Sequence, residues 1–524
     1  MQVRPQVIVG VDVGTTAVKV AAFEVIQPSA TGFSADGEGH HRATAIREYQ
    51  LEQPEPGWQV QDPPTILAAI DAALAQCAAA LDGAEVLAIS VSTAMHGLIG
   101  LDAGLRPLTP LVTWADSRSG DEARSLREAG RATELLHLTG TPVHPMSPLV
   151  KLIWFSRHEP HLARRVRWWV GLKDYVLHHL TGRLVTELSS ASATGLLDLG
   201  ARDWADVPIG LAGISRGQLP EVMPTTTVLQ LTSAAGGRLG LPSGLPVAVG
   251  AADGPLGNLG TGAITPGVAG LSLGTSGAVR MAVPEPVADK NGRLFCYALT
   301  DDLWVLGGAV SNGGITLRWS GETFAPDLVA DGQADADLLA LAEEVPAGSD
   351  GLVMLPYVLS ERAPLWDPDL TGAFLGIRYQ HGRGHFLRAA VEGVCLQMST
   401  IVEVLDSVAP VTSVRATGGP FRARLWREVM AATLGRPFSI ASDAGGTALG
   451  AAALGLYALG GAATLSEAVI AVGGPGPDAP GDVVEVSPLE VATYTQMRAL
   501  VPELIRSYAE VAAIFDSTLS PRRA

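Results

Sequence analysis

Lysine is scarce in this chain: the 524 residues include only Lys19, Lys151, Lys173 and Lys290. None of the four follows a glycine, so the G-x-x-x-x-G-K-[ST] phosphate loop is absent. No G-x-G-x-x-G motif follows the first predicted strand, which excludes an oxidoreductase that binds a dinucleotide through that motif. A protein of this sequence that uses ATP must therefore bind it on another scaffold.

Cysteine is equally rare. Cys77, Cys296 and Cys395 lie far apart among apolar neighbours, and their spacing suits neither a metal site nor complete disulfide pairing. We therefore expect buried thiols in a reducing compartment. The chain opens without the charged-then-apolar pattern of a secretory signal, so the expected location is cytoplasmic.

Positive charge is also in short supply, because 36 Lys and Arg stand against 53 Asp and Glu and the net charge is −17. Phosphate backbones are bound by basic patches, so no nucleic-acid partner is expected. A few local arginines can still favour an anionic small molecule. Residues 444–465 carry no charge and could span a bilayer by length. Their many alanines and glycines instead predict a buried helix of small residues, and no membrane partner.

The length of the chain indicates at least two domains, and β-branched runs alternate with helical patterns. The predicted strands are 7–11, 17–24, 86–91, 246–250 and 268–273, the last followed by a returning strand through Met281. The predicted helices are 63–81 and 488–515, and 27–43 is expected to be an exposed loop.

Two short turns have matching contexts in the two halves of the chain. Gly14-Thr15-Thr16 and Gly274-Thr275-Ser276 each lie between two predicted strands, which suggests an internal duplication of one α/β unit. Glycine clears space for a phosphate, and backbone N–H groups and hydroxyls can bind it. Asp12, just before the first turn, could hold Mg²⁺ through water. The alternative is a pair of ordinary hairpin turns.

Asp253 ends a predicted strand and is surrounded by small residues, in Gly250-Ala251-Ala252-Asp253-Gly254-Pro255. Phosphoryl transfer to an alcohol needs a carboxylate that accepts the hydroxyl proton. A turn aspartate or a helix cap would give the same local pattern. The residues alone leave both interpretations open.

Two longer segments resemble the signatures of the FGGY carbohydrate kinases: residues 146–158, MSPLVKLIWFSRH, and residues 372–392, from Gly372 to Glu392. The resemblance covers nearly the whole chain. It implies an α/β fold of two actin-like (ribonuclease H-like) domains with an interdomain cleft. The expected divisions are a sugar-side domain at 1–248, a nucleotide-side domain at 249–486, and a helix and tail at 487–524.

The resemblance also implies roles for single residues. Asp253 matches the catalytic base, and Asp12 belongs to the segment that matches the first phosphate turn. The residues expected to bind ATP are Gly14, Thr15, Thr16, Lys19, Gly274, Thr275, Ser276, Asn312, Gly313, Gly314, Gly418 and Gly419. Pro420 departs from the pattern, because a third glycine is common there and proline lacks an N–H donor.

Within the family, several segments look most like the gluconate kinases: Met95-His96, 107–110, the Trp-Ala-Asp-Ser-Arg run at 114–118, 139–146, 355–357 and 361–364. Gly97 departs, since it is typical of xylulose kinases. The expected reaction is phosphorylation of D-gluconate to its 6-phosphate by ATP and Mg²⁺, with Arg118 as first choice for the carboxylate. The expected substrate-binding residues are His96, Trp114, Asp116, Arg118, Lys173 and Arg362.

Several alternatives stay open. The sugar could instead be xylulose, ribulose or glycerol, or the protein could be an actin-like nucleotide sensor or chaperone without kinase activity. Trp114 could simply pack in the core, His96 could be a buried histidine, and Arg362 could form an ion pair with Glu361. The expected partners are the sugar acid and ATP, and a homodimer is the expected assembly.

Overall fold

The computed structural model describes residues 4–26, 41–329, 334–441, 446–476 and 481–518. The strands are Gln6–Val13 (β1), Ala17–Glu24 (β2), His41–Glu48 (β3), Val60–Gln61 (β4), Glu85–Thr93 (β5), Ile99–Leu101 (β6), Leu111–Val112 (β7), Trp168–Val170 (β8), Val185–Glu187 (β9), Leu197–Asp198 (β10), Asp203–Trp204 (β11), Glu221–Met223 (β12), Val228–Gln230 (β13), Pro246–Ala252 (β14), Val268–Leu273 (β15), Gly277–Val283 (β16), Phe295–Thr300 (β17), Leu303–Val310 (β18), Val353–Leu355 (β19), Ala373–Leu375 (β20), Ser413–Thr417 (β21), Phe438–Ile440 (β22) and Asp482–Val484 (β23).

The α-helices are Pro63–Ala79 (α1), Gly120–Glu128 (α2), Ala132–Thr139 (α3), Pro148–His158 (α4), Pro160–Ala163 (α5), Leu172–Thr181 (α6), Leu188–Ser192 (α7), Asp206–Ala212 (α8), Ser233–Leu239 (α9), Asp253–Gly260 (α10), Gly314–Phe324 (α11), Pro326–Val329 (α12), Ala334–Glu343 (α13), Arg383–Val408 (α14), Arg424–Leu434 (α15), Gly446–Ala458 (α16), Leu465–Ala471 (α17) and Pro488–Thr518 (α18). Short 3₁₀ helices lie at Arg216–Gln218, Ser349–Gly351 and Gly419–Arg422.

The chain divides into two compact units. The first comprises Met1–Pro266, Met281–Leu306 and Ser442–Ala479, and the second comprises Gly267–Arg280, Gly307–Ala441 and Pro480–Ala524. The unit divisions are therefore discontinuous in sequence. The domain limits expected from the sequence, at 248 and 486, remain predictions.

The first unit is built on a six-stranded sheet in the order β13-β14-β5-β1-β2-β3. β1 and β14 both run parallel to β5, whereas β2 and β3 continue the sheet as antiparallel strands. The β-branched runs form these strands because both faces of the central strands are covered, and Val7, Val9 and Val11 are fully buried or nearly so. The strands predicted at 7–11, 17–24, 86–91 and 246–250 are confirmed.

The small-residue helix is confirmed as α16, although it ends at Ala458 and not at residue 465. It packs against β1 and α10 so closely that side chains would not fit at the contact. A Cβ at Gly10 would lie 2.0 Å from the carbonyl oxygen of Ala448, and one at Gly450 would lie 2.0 Å from that of Leu256. The glycines therefore serve close packing of this helix on the sheet.

The exposed loop predicted for 27–43 is partly wrong. Residues 27–40 lie outside the described residues, but residues 41–43 begin β3 and pair with β2 through Phe23 and Ala22. The histidines and alanines of this segment have no strand preference of their own, so the sequence did not predict a strand here. Pairing with β2 stabilises the strand instead.

In the second unit, β15 pairs in parallel with β21, β21 in parallel with β22, and β22 antiparallel with β23. The strand predicted at 268–273 and its return through Met281 are confirmed as β15 and β16. The long terminal helix is confirmed as α18, whose Ile505, Tyr508 and Ala509 pack against a small core around Leu355 and Tyr357.

Candidate active site

Asp12 lies near the carboxyl end of β1, level with Ser92 of β5 and Lys19 of β2. The hydroxyl of Ser92 donates to Asp12 Oδ1 over 3.2 Å. Burial raises the pKa of Asp12 to about 7, and the negative charge of Asp253 adds to this effect. The two carboxylates therefore interact, although they are 241 residues apart in sequence.

Asp253 follows β14 directly and is the first residue of α10. Pairing across the sheet puts Ala252 level with Thr93 of β5, and Thr93 level with Val13 of β1. Asp12 and Asp253 thus meet at the carboxyl ends of three parallel strands, where α/β sheets bind ligands. Asp253 Oδ1 also accepts the N–H of Gly254 over 2.8 Å, so the carboxylate helps to satisfy the start of α10.

The first glycine-hydroxyl turn connects β1 and β2 next to Asp12. Gly14 and Thr15 are half-buried and Thr16 is exposed, and the N–H of Gly14 donates to the carbonyl of Ala17. Trp114, expected to bind substrate, donates from Nε1 to Thr15 Oγ1 over 2.9 Å. The Trp-Ala-Asp segment and the first glycine-hydroxyl turn are therefore joined by a direct hydrogen bond.

His96 has a left-handed backbone with φ of 66°, which is strained for a residue other than glycine. Its Nδ1 is 2.7 Å from the carbonyl oxygen of Ala193, and its ring meets Tyr297 edge-on. Met95, His96 and Gly97 line a cavity of about 40 Å³ in the first unit. His96 therefore lies at the edge of this cavity.

Asp116 and Arg118 form a buried two-point ion pair. Arg118 Nε and Nη2 donate to the two oxygens of Asp116 over 2.8 and 2.7 Å, and their side chains are 4% and 0% exposed. The guanidinium stacks on Trp58, 3.6 Å from the ring centre. The expectation that Arg118 holds a substrate carboxylate is therefore not retained, and the same burial removes Asp116 as a direct ligand.

The ammonium group of Lys173 is buried and forms hydrogen bonds within the protein. Its Nζ donates to the carbonyls of Val91, Val249 and Ala251. An ammonium group has three hydrogens, so none is left for a ligand, and the expected direct contact of Lys173 with substrate is not retained. Glu187, which sequence reasoning did not identify, lies 3.8 Å from Nζ and is fully buried.

Lys151 is a second buried lysine that sequence reasoning left without a role. Its Nζ donates to the carbonyls of His96 and Thr113, each over 2.7 Å. Burial lowers the pKa of Lys151 to about 7. The lysine thus ties the segment that carries His96 to the one that carries Trp114. The scarcity of lysine was the one sequence signal that these positions are special.

Asp174 provides a test of the buried charges. Burial raises the pKa of its carboxyl from 3.8 to about 7, against hydrogen bonds from Gly171 and Thr186. The folded protein thus holds the proton more tightly than the unfolded chain, and this stability is lost as the pH rises from about 4 to about 7. In thermal unfolding, Asp174→Asn should raise Tm relative to wild type by an amount that grows over this range. A difference independent of pH would contradict the assignment.

The second glycine-hydroxyl turn lies between β15 and β16 and is held by a neighbouring backbone segment. The carbonyl of Gly274 accepts the N–H of Gly314 over 2.8 Å, and that of Thr275 accepts the N–H groups of Gly313 and Ile315. A Cβ at Gly313 would come within 2.9 Å of the turn. The structure therefore brings together five of the predicted nucleotide residues, including Ser276.

Asn312 and Arg362 are occupied by internal contacts in the second unit. The amide of Asn312 donates to the Leu359 carbonyl and to Glu361 Oε2, and its oxygen accepts the Leu359 N–H. A direct contact of Asn312 with nucleotide is therefore not retained. The guanidinium of Arg362 donates to Ser311 Oγ and the Val310 carbonyl, and its contact with substrate stays a prediction.

Gly418 has φ of 121°, and a Cβ there would lie 1.8 Å from the carbonyl oxygen of Leu273. Only glycine fits this position beside the second turn. Gly419 and Pro420 begin a 3₁₀ helix, where a proline is tolerated because the first N–H groups have no partner within the helix. The departure at Pro420 is thus compatible with the local fold.

The described ranges contain no cluster of three or more His, Cys, Asp or Glu side chains arranged as a metal site. None of the helices in these ranges combines the length and apolar character needed to cross a membrane.

Family models match most of the chain. The N-terminal domain model of the FGGY family of carbohydrate kinases matches residues 7–260, and the C-terminal domain model matches residues 269–459. This agrees with the resemblance carried by residues 146–158 and 372–392. Members of this family use ATP as the phosphate donor.

Three carbohydrate kinases are similar to this chain in sequence or in structure. The gluconokinase of Bacillus subtilis is 37% identical over 463 residues, which cover 86% of this chain and 87% of the relative. Crystal structures of a gluconate kinase and a xylulose kinase, both from Lactobacillus acidophilus, are each 31% identical with a TM-score of 0.88. They cover 98% and 97% of this chain, respectively, and 100% of each structure. The predicted α/β class with two actin-like domains is confirmed, and the chain belongs to the FGGY family of carbohydrate kinases.

Proposed function

We propose that this protein transfers the γ-phosphoryl group of ATP to the C6 hydroxyl of D-gluconate, giving 6-phospho-D-gluconate. The observation that carries the proposal is the position of Asp253, at the carboxyl end of β14 and within the electrostatic influence of Asp12. The 37% identity to a gluconokinase and the Trp-Ala-Asp run at 114–116 support gluconate as the sugar.

Asp253 acts as the proton acceptor. A carboxylate at the first position of α10 is fixed by the Gly254 N–H on one oxygen. It accepts the C6 hydroxyl proton as the bond to phosphorus forms.

The turns at Gly14–Thr16 and Gly274–Ser276 are assigned to the phosphates of ATP. Both offer backbone N–H groups and hydroxyls next to glycines, so phosphate oxygens can approach without meeting a Cβ. Gly313, Gly314 and Gly418 support the second turn by packing close to it, whereas Gly419 has open space at its Cβ position and is proposed as a nucleotide contact only. Lys19, level with Asp12 on β2, adds positive charge beside the first turn.

The residues present suit a magnesium ion. Asp12 is an anionic oxygen ligand whose raised pKa reflects burial and repulsion by Asp253, and a divalent cation would relieve that repulsion. Mg²⁺ favours one or two carboxylates completed by phosphate oxygens and water. When bound, it supplies positive charge that offsets the charge of the phosphates; Asp12 would hold it.

On the sugar side, His96 and Trp114 remain the proposed ligands. His96 lines the cavity in the first unit, and Trp114 is half-buried next to the first turn, where its Nε1–H donates to Thr15 Oγ1. Arg118, Asp116 and Lys173 are assigned to support: they hold the backbone around His96, Trp114 and Asp253 in place. Proteins often position a reactive group with such a fixed surrounding shell.

Xylulose is the second candidate, for two reasons. The xylulose kinase structure matches as well as the gluconate kinase structure, with the same TM-score of 0.88. In addition, Gly97 is typical of xylulose kinases, and a Cβ there would meet Leu111 Cδ1 at 2.7 Å. The fold alone does not separate the two sugars.

A panel of sugars tests the proposal directly. ADP release should be measured with D-gluconate, D-xylulose, D-ribulose and glycerol at equal ATP. We expect kcat/KM for gluconate to exceed that for each neutral sugar by at least about 10-fold. An equal or higher value for a ketopentose would replace gluconate by that sugar, whereas ATP binding without any sugar-dependent ADP release would indicate a nucleotide sensor.

A further inference from the structure

The carbonyl groups of the first turn are held from inside the protein. The Gly14 carbonyl accepts the hydroxyl of Tyr49 over 2.6 Å, and the Thr15 carbonyl accepts Gln61 Nε2 over 2.6 Å. The Thr16 carbonyl accepts the backbone N–H of Tyr49 over 3.0 Å. Tyr49 and Gln61 are 7% and 2% exposed, so three consecutive carbonyls are directed towards buried donors.

This arrangement fixes the direction of the N–H groups in the turn. In a trans peptide the C=O and the following N–H point in opposite directions. Holding the carbonyls of Gly14 and Thr15 inward therefore directs the N–H groups of Thr15 and Thr16 away from Tyr49 and Gln61. Adjacent N–H groups with a common direction form an anion-binding concavity.

Trp114 adds a third constraint. Because its Nε1–H donates to Thr15 Oγ1, one acceptor position of this hydroxyl is occupied and its hydrogen is left to donate in another direction. Gln61 and Trp114 approach the turn together, since β4 pairs with β7 with Gln61 opposite Leu111. The carbonyl of Gln59 also accepts both the N–H and the hydroxyl of Thr113.

The second turn shows the same arrangement with different donors. There the carbonyls of Gly274 and Thr275 are held by the backbone N–H groups of residues 313–315. In both turns the carbonyls are hydrogen-bonded on one side, although the donors differ. We infer that both turns require their N–H groups to point away from these donors.

We propose that Tyr49, Gln61 and Trp114 are positioning residues that hold the first turn as a preformed binding site for the phosphates of ATP. The inference rests on the proposed function and extends it to residues outside the turn. Trp114 in addition connects this site to the sugar-side segment. A turn formed before ATP arrives avoids the entropic cost of ordering it during binding.

Substitutions of Tyr49 and Gln61 test this role. Tyr49→Phe and Gln61→Met each remove one donor and keep most of the side-chain volume. Tyr508→Phe and Gln218→Met are matched controls, because Tyr508 donates to the Gly372 carbonyl and Gln218 to the Val166 carbonyl. We expect the double variant Tyr49→Phe/Gln61→Met to lower kcat/KM for ATP about 10-fold, with KM for the sugar within about twofold of wild type.

Thermal unfolding and calorimetric MgATP affinity complete the readouts. A drop in kcat/KM for ATP no larger than in the paired controls would overturn the positioning role while the enzyme remained a sugar kinase. Absence of sugar-dependent ADP release in the wild type would overturn the proposed function, and this inference with it. Weaker MgATP binding with unchanged Tm supports the inference.

Trp114 is tested by a double-mutant cycle with Thr15. Trp114→Phe keeps an aromatic ring and removes the indole donor, and Thr15→Val removes the acceptor. We expect Trp114→Phe to lower kcat severalfold in the wild type and to have no further effect on kcat in Thr15→Val. Effects on kcat that multiply independently would show that the hydrogen bond does not carry the role of Trp114.

Discussion

Asp253→Asn is expected to lower turnover with D-gluconate about 10²- to 10⁴-fold while ATP still binds. The amide keeps the shape of the carboxylate and can still accept the Gly254 N–H, but it cannot take the hydroxyl proton. The loss should therefore appear in kcat, with little change in MgATP affinity. Steady-state kinetics with gluconate, together with calorimetric titration of MgATP, measure the two quantities separately.

The control for this variant is Asp335→Asn, which neutralises an exposed aspartate in the first turn of α13. It should match wild type in both measurements. Turnover of Asp253→Asn within a few-fold of wild type would remove the proton-acceptor role. A parallel loss of ATP affinity would place Asp253 in nucleotide binding instead.

Lys173→Met should destabilise the protein by about 3–5 kcal/mol, the usual cost of removing one partner from a buried charge pair. The change leaves Glu187 buried without its ammonium neighbour and removes the donor from the carbonyls of Val91, Val249 and Ala251. Those carbonyls belong to β5 and β14, the strands that lead to Thr93 and Asp253. Chemical denaturation gives the free energy of unfolding directly.

Two further variants separate the causes. Lys290→Met removes an exposed lysine and should change stability by less than about 0.5 kcal/mol. Lys173→Met/Glu187→Gln should recover part of the loss, because no unpaired charge then remains buried. If Lys173→Met were as stable as Lys290→Met, the internal role assigned to Lys173 would be wrong.

The elements that the sequence predicted well are those set by local preference. The β-branched residues of β1 and the small residues of α16 indicate that these elements are buried. Glycine between two strands predicts the turns at Gly14 and Gly274. The position of Asp253 at the end of a strand was also predicted, whereas its role as proton acceptor stays a proposal. In these cases the residues within the element determine its local conformation.

The internal contacts that sequence reasoning missed depend on burial. Lys173 was expected to hold substrate, but the carbonyls that bind it are 76 to 82 residues away. Arg118 suited a carboxylate, and it has one: Asp116, only two residues away, under the ring of Trp58. The charge of each side chain correctly predicted that it would bind carbonyl or carboxylate oxygens. Because both side chains are buried, these oxygens belong to the protein itself.

Tyr49 and Gln61 carried no signal at all. Neither lies in a motif. The side chains of Tyr49 and Gln61 each donate one hydrogen bond to a carbonyl of the turn, 35 and 46 residues away, respectively. A single donor from a remote segment leaves no periodicity or spacing in the sequence. Such residues become visible only when the hydrogen-bond partners of every turn carbonyl are followed.

The most direct test of the account is the identity of the product formed from D-gluconate and ATP, read by ³¹P and ¹³C NMR. The account predicts a phosphate monoester whose phosphorus couples to C6 of gluconate, formed in step with ADP. Formation of inorganic phosphate alone, or of no ester with gluconate while a ketopentose is phosphorylated, would contradict it.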